Sequence, residues 1–363
     1  MLGSGWVSYG SSGSGIGQFL APYGITVSRT GDIYVMDQHN HRIVHFTDMT
    51  GTGWETFGSG ILQYAAGVTL GPENWIYLTD SYNSRIARMA DMSGAGWTTV
   101  GGFDNPGGID VTNNGKIYVS DGPGNRIVRV DDMTGAGWVT FGTYGSGAGE
   151  LIDPWDVCVG PDSKIYISDT GNDRLVRIDD MTGAGWTTYG SYGSGTGQFN
   201  NPAHITFGPS GKIYIADQHN HRIVRIDDIT GSGWTTYGSY GTGTGHFAEP
   251  TGIYVVLATW IKTEVYLKPE HIQFFTYPNP FNSAVTISVY CHSREGGNPK
   301  GVAVQIFDIT GRIVYEMPVG AYRDTSAVWT PEESVGSGVY LVRAKVGSGP
   351  TIESVVKRIV YLK

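Results

Sequence analysis

The stretch from Asp217 to Trp234, DQHNHRIVRIDDITGSGW, recurs five times in the chain with fixed internal spacing. Asp37, Asp80, Asp121, Asp169 and Asp217 are each followed five positions later by an arginine: Arg42, Arg85, Arg126, Arg174 and Arg222. Twelve positions after each arginine stands a tryptophan, giving Trp54, Trp97, Trp138, Trp186 and Trp234, with Trp6 as a sixth copy that lacks the preceding pair. Intervals between tryptophans are 48, 43, 41, 48 and 48. The segment from Asp to Trp is constant, so all variation in length falls in the Gly/Ser stretch after each tryptophan, which must be a loop.

A period of this size marks one supersecondary unit that cannot bury its apolar face alone and stacks on its neighbours. Before each Asp stands a β-rich run, DIYVMD, WIYLTD, KIYVSD, KIYISD or KIYIAD, and after each Asp-x₄ another, RIVHF, RIARM, RIVRV, RLVRI or RIVRI. Both alternate, and neither is long enough for a helix. With WTTYG and the run typified by HITFG, four strands emerge per repeat. Four antiparallel strands repeated radially make an all-β propeller.

The 363 residues suffice for two domains with a large core. Fifty-five glycines and 22 tyrosines with few charges suit tight turns and aromatic-packed sheets rather than helices or a disordered tail. No run is apolar for long enough to span a membrane. A formal net charge of -9 argues against a nucleic-acid partner, for which clustered Lys and Arg are needed. The two cysteines, Cys158 in a strand and Cys291 in a polar loop, read as unpaired, with Cys158 as a small buried hydrophobe.

Met1 to Trp6 align with Met49 to Trp54 and Met133 to Trp138. The expectation is a start inside a repeat, with a signal peptide and the remainder of that repeat encoded upstream. Asn114-Gly115 and Ser210-Gly211 read as hairpin turns, and DDMTGAG and its variants put Gly where a tight connection needs positive φ. The paired acids of those turns read as caps and solvated charge, with calcium binding as the alternative. Each Asp-x₄-Arg pair reads as a hydrogen-bonded ion pair stitching the second strand to the third.

The order P-x-G-I-x-V, G-x-I-Y-V-x-D, N-x-R-I-V resembles the NHL repeat over about residues 15 to 256. Asn40, Asn83, Asn172 and Asn220 sit where that family has its Asn, and the third repeat departs with Gly124-Asn125-Arg126. After Trp234 a sixth unit begins, but no Asp-x₄-Arg follows, and only KTEVYLK resembles a second strand. The expected ring has six blades, the sixth degenerate and completed by the Trp6 strand, with five blades as the alternative. This domain is expected to cover residues 1–268.

Around Lys268-Pro269 the repeat composition stops. Residues 269–363 carry alternating strands at AVTISVY, VAVQIFDITGRIVYE, AVWT, GVYLVRAKV and VVKRIVYLK, the pattern of a small Ig-like β-sandwich. Tyr277, Pro278, Asn279, Pro280 and Phe281, then Gly311 and Arg312, then Gly338 and Tyr340, then Lys357 and Lys363 follow in an order that resembles the C-terminal sorting domain of type IX secretion substrates. The resemblance implies a partner in the type IX machinery and a mature protein secreted from, or attached to the outer surface of, a Gram-negative bacterium.

In a propeller the Gly/Ser loops and the turns between second and third strands open on one face. That face gathers His39, His41, His219 and His221 from the QHNH turns, Tyr82 and Thr170 from their equivalents, and Tyr23, Trp155 and His204 near the starts of inner strands. Tyr23, His39, Tyr82, Trp155, His204 and His219 are the candidate ligand-binding residues, for a carbohydrate, peptide or protein. His41 and His221 belong to the N-H-R-I core of the repeat. No nucleophile elbow, phosphate loop, HExxH or Cys/His zinc spacing is present, and no catalytic residue, metal or cofactor is assigned. Some NHL-like propellers are metal-dependent lyases or lactonases, so the resemblance leaves such an enzyme, with His204 and a second histidine as ligands, as the alternative to a secreted recognition propeller.

Overall fold

A computed structural model of the protein describes residues 6–255 and, beyond them, the strands His271–Tyr277, Val285–His292, Val302–Asp308, Ile313–Val319, Thr325–Trp329, Gly338–Val346 and Glu353–Tyr361. The chain divides into two compact units, Met1–Lys262 and Thr263–Lys363. The expected boundary at 268 lies outside the described residues.

The first unit contains five four-stranded antiparallel sheets, each read from axis to rim. Blade 1 is Pro22–Val27, Ile33–Asp37, Arg42–Phe46 and Glu55–Phe57. Blade 2 is Val68–Leu70, Ile76–Asp80, Arg85–Met89 and Thr98–Gly101. Blade 3 is Ile109–Val111, Ile117–Asp121, Arg126–Val130 and Val139–Phe141. Blade 4 is Pro154–Val159, Ile165–Asp169, Arg174–Ile178 and Thr187–Tyr189. Blade 5 is Pro202–Phe207, Ile213–Asp217, Arg222–Ile226 and Thr235–Tyr237. In every blade the Asp that ends the second strand faces the Arg that opens the third, which sets the register of the central hairpin.

The core lies between blades. Met36 and Ile43 of blade 1 pack against Ile76, Leu78 and Met89 of blade 2, and Leu175 of blade 4 against Ile213, Ile215 and Val224 of blade 5. Around the axis, side-chain hydroxyls bridge successive blades. The buried Ser120 hydroxyl accepts from Gly108 N–H of its own innermost strand at 2.7 Å and donates to the Trp155 carbonyl of the next at 2.6 Å. Thr79 and Ser168 repeat the device toward Gly107 and Ala203. The innermost strands approach so closely that a Cβ on Gly24 would stand 2.5 Å from the Ala66 carbonyl oxygen, and one on Gly107 2.5 Å from that of Trp155.

The described residues form five blades, the alternative to the six expected. Between blade 5 and blade 1, Trp6 packs on Phe247 and Tyr237 at 5.5 and 6.2 Å, as Trp234 packs on Phe199 and Tyr189 at 5.4 and 6.1 Å. The Thr251 hydroxyl donates to the Pro22 carbonyl. The gap is thus filled from both ends, but no Asp-x₄-Arg pair follows Trp234 to anchor a further central hairpin. Residues 256–268, on which the remaining strands were expected, lie outside the described residues.

The second unit holds two antiparallel sheets. One has the order Val285–His292 between His271–Tyr277 and Thr325–Trp329; the other runs Ile313–Val319, Val302–Asp308, Gly338–Val346, Glu353–Tyr361. The strand His271–Tyr277 is an addition to the strands legible in the sequence, and VAVQIFDITGRIVYE resolves into a hairpin.

Candidate functional site

The Asp-x₄-Arg unit organises one face of the propeller. All five aspartates are fully buried, and each arginine Nε donates to its Asp at 2.7–2.8 Å. The other oxygen of each Asp accepts the backbone N–H seventeen residues upstream, on Leu20, Gln63, Asp104, Ile152 or Asn200, and so ties the strand pair to the loop that enters the blade. Asn40, Asn83, Asn172 and Asn220 donate to the same carboxylates. In the third repeat Gly124 stands at that position and supplies no side-chain donor, while Asn125, one residue on, takes the place of His41 and accepts the Asp153 N–H as it donates to the Pro123 carbonyl. Burial pushes Asp169 and Asp217 above the ordinary carboxylate range, against the hydrogen bonds and the guanidinium that pull the other way.

Arg42, Arg174 and Arg222 continue into the Gly/Ser loops, donating to the carbonyls of Ser14, Ser146 and Ser194. Turns and loops are therefore neighbours, as expected. His41 and His221 occupy left-handed positions at the end of their turns, with φ 54°. Their Nδ1 atoms accept the backbone N–H of Tyr64 and Glu249. Asp173 makes the same contact to Asn201, which makes these histidines structural. Thr170 is buried and donates to the Pro202 carbonyl. His39 and His219 are exposed; the His39 ring lies 5.4 Å from Tyr64.

Tyr23, Trp155 and His204 converge on the axis. They line a cavity of about 10 Å³ with Asp156, Thr251 and the glycines 24, 67, 107 and 108, enough for about one water. Tyr23 of blade 1 and Trp155 of blade 4 meet with ring centroids 5.3 Å apart, so the mouth has an aromatic floor. Burial, then the charges of Asp153 and Glu249, raise the Tyr23 phenol. His204 Nε2 lies 3.5 Å from Asp156 Oδ2, and its Nδ1 is buried with no partner among the described residues.

Two inner-strand acids escaped the sequence reading. Asp110 accepts from Val159 N–H at 2.8 Å, and Asp156 from Ile205 N–H at 2.9 Å, each capping the free edge of the next innermost strand. Burial raises both; Asp110, close to the like charge of Asp156, is pushed up to about 6. The signals differ: Asp110 of IDV stands opposite Tyr118 where the other repeats have Thr26, Thr69, Cys158 and Thr206, and Asp156 stands two residues earlier in its strand, where the others have Gly24, Gly67, Gly108 and His204. Cys158 is unpaired and half-buried, its thiol pushed well above its ordinary value by burial.

Tyr64 was also missed. It holds φ 47°, at a turn where Ala21, Asn105, Asp153, Asn201 and Glu249 are also left-handed. Its ring lies 4.4 Å from that of Tyr82, which is 62% exposed, and 4.6 Å from His41. The acidic turns close on themselves: Asp132 accepts from the N–H and hydroxyl of Thr134, and Asp131 lies 3.4 Å from Arg129. Among the described residues no three His, Cys, Asp or Glu side chains converge as metal ligands.

In the second unit, Tyr277, Gly338, Tyr340 and Lys357 lie on strands, with Lys357 paired to Val342. Pro278 to Phe281, Gly311, Arg312 and Lys363 lie outside the described residues.

Comparison with known proteins matches the NHL repeat at residues 19–46 and 199–226, the inner three strands of blades 1 and 5. It matches the secretion system C-terminal sorting domain at 276–359. No curated protein matches the chain. Among solved structures, virginiamycin B lyase from Staphylococcus aureus is 18% identical, with 82% of this chain and 84% of that one covered and a TM-score of 0.48. A putative gluconolactonase is 13% identical, covering 75% and 86%, with a TM-score of 0.45. The calcium-binding protein regucalcin from Agrobacterium tumefaciens is 12% identical, covering 77% and 84%, with a TM-score of 0.46.

Proposed function

Starting from a chain that is a β-propeller of NHL repeats followed by a type IX secretion sorting domain, we propose that it is an exported recognition protein that holds a carbohydrate, peptide or protein ligand at the axial mouth. The observation that carries this reading is the aromatic floor, where Tyr23 and Trp155 meet across the axis with His204 beside them. Aromatic faces with a few fixed polar groups in a concave setting suit such ligands, and the tight glycine collar holds them rigid. The purified chain is to be screened against soluble polysaccharides and short peptides, and the best ligand titrated into variants. Trp155→Ala and His204→Ala should each weaken it by more than about 1 kcal/mol, and charge reversal at Asp131 and Asp132 should not. Loss confined to the acidic turns moves the ligand to the opposite face and ends this reading.

One observation favours a lyase or lactonase-like enzyme as the second reading. His204, with an orphaned Nδ1, faces the raised carboxyl of Asp156 inside the cavity, and groups so perturbed cluster at catalytic sites. Lactone opening by the parent that disappears in His204→Ala, with the fold intact, supports it; equal rates in both remove it.

A further inference from the structure

The propeller is not evenly walled. From each tryptophan to the apolar residue that plugs the next blade, the loop takes 13 residues to Phe19, Leu151, Phe199 and Phe247, but 8 to Leu62 and 6 to Phe103. Where the loop is long, its carbonyls cover the arginine; Arg42, Arg174 and Arg222 are 14, 13 and 12% exposed. Where it is short, Arg85 and Arg126 are 28 and 31% exposed. Beyond their aspartates these two donate only to the Ile61 and Gly102 carbonyls, through Nη2, and their Nη1 groups have no hydrogen-bond partner among the described residues. Each guanidinium stays fixed by Nε on a buried Asp, so its outer edge is presented without loss of side-chain freedom.

The same sector carries the strained aromatic. Of the five left-handed residues that precede inner strands, Ala21, Tyr64, Asn105, Asp153 and Asn201, only Tyr64 is bulky, a conformation that Asn and Asp tolerate and large side chains resist. Strain of this kind persists where the surroundings enforce it and collects at binding sites. Its ring lies against that of exposed Tyr82 at a tilt of 34°, and Tyr82 stands in the turn that leads to Arg85. A groove of about 360 Å³ lined by Asn40, Arg42, Thr56, Gly58 and Ile61 among others reaches this sector at Ile61, whose carbonyl accepts from Arg85.

We propose that the short-loop sector of blades 1 to 3 binds an acidic polysaccharide, with carboxylate or sulfate groups on the outer edges of Arg85 and Arg126 and a sugar ring on Tyr82 and Tyr64. Two open guanidiniums on neighbouring blades suit a polymer that carries anions at intervals along its length, and an exposed tyrosine pair suits the apolar face of a pyranose. This inference rests on the reading of the chain as an exported recognition protein but puts the contact on Arg85, Arg126 and Tyr82, outside the residues that line the axial cavity.

Binding of polygalacturonate, dextran sulfate, polyglutamate and uncharged dextran to the full chain is measured by calorimetry at low and high salt. Polygalacturonate or dextran sulfate should bind, with affinity falling as salt rises, and whichever is retained identifies the anion; dextran and polyglutamate should not. Tyr82→Ala should weaken binding roughly tenfold. Replacing residues 58–62 by the longer loop 190–199, which covers Arg85 as its own arginine is covered, should abolish it. Tyr64→Asn should weaken binding while leaving the unfolding midpoint equal or higher, an outcome that a merely structural tyrosine does not give. No preference for the acidic polysaccharides over dextran, or binding unchanged by the longer loop, overturns the proposal. Preference for polyglutamate replaces the sugar by a peptide and also overturns it. Affinity lost in Trp155→Ala but kept in Tyr82→Ala moves the ligand to the mouth, which ends the short-loop site and leaves the recognition reading standing.

Discussion

The aspartate of each repeat is the residue on which most else hangs. Asp217 is fully buried and accepts from Asn200, Asn220 and Arg222. Removing one partner leaves a desolvated charge unmatched. Arg222→Ala is therefore expected to destabilise the propeller by roughly 2–4 kcal/mol in chemical denaturation; a midpoint equal to the parent's shows the pair to be no more than surface charge. Asp110 behaves differently, because burial lifts its carboxyl to about 6. A carboxyl raised in the folded state binds its proton more tightly there than in the unfolded chain. Its contribution is present below the ordinary value of 3.8 and is lost as pH climbs through about 6. The gap corresponds to at most about 3 kcal/mol. Asp110→Asn can still accept from Val159, so its stability relative to the parent should improve between pH 4 and pH 7; melting temperatures that keep a constant difference across that range contradict the raised carboxyl.

Blades meet edge-on at the axis, and there they depend on hydroxyls and glycines. Thr79, Ser120 and Ser168 each satisfy an N–H of their own innermost strand and a carbonyl of the next. Blades 1 and 5 have Met36 and Ala216 at that position and lack the bridge. Ser120→Ala removes a buried hydroxyl from the Trp155 carbonyl and the Gly108 N–H, which still bond each other at 2.8 Å, and should cost about 0.5–1.5 kcal/mol. Ala216→Ser places the hydroxyl where the sequence has none and serves as the control. A Ser120→Ala denaturation curve that overlays the parent's shows that water takes over the bridge. The loops act at the same scale: equal repeats with unequal loops leave Arg85 and Arg126 more open than the other three.

At the scale of the whole chain, the sorting domain at 276–359 gives the propeller a destination. The last strand, Glu353–Tyr361, pairs along its length with Gly338–Val346 and closes one edge of its sheet. A signal peptide, an inert reporter and residues 277–363 in one fusion should reach the surface of a cell with a working type IX system. Deleting Lys357 to Lys363 should leave the fusion in the periplasm, with reporter activity retained as evidence that it is folded. Undiminished surface display after that deletion makes the tail an ordinary β-sandwich.

The sequence alone determined the repeat, its four strands, the Asp-Arg register and the two-part plan, because each rests on short-range spacing: period-two alternation, a five-residue ion pair, a glycine in each turn. It also marked blade 3 as irregular from Gly124-Asn125 and His41 as a repeat residue rather than a ligand. What only the tertiary structure decided depends on contacts between repeats. Tyr23 and Trp155 lie 132 residues apart and meet because blades 1 and 4 face each other across a narrow axis. Asp110 and Asp156 went unnoticed in the sequence because their N–H partners come from the free edge of the next blade. That Trp6 reaches the far end of the repeats and packs on Phe247, next to the five blades of the described residues, was likewise decided by the assembled ring. Loop lengths were visible from the start, but which side chains a short loop uncovers is a property of the assembled ring.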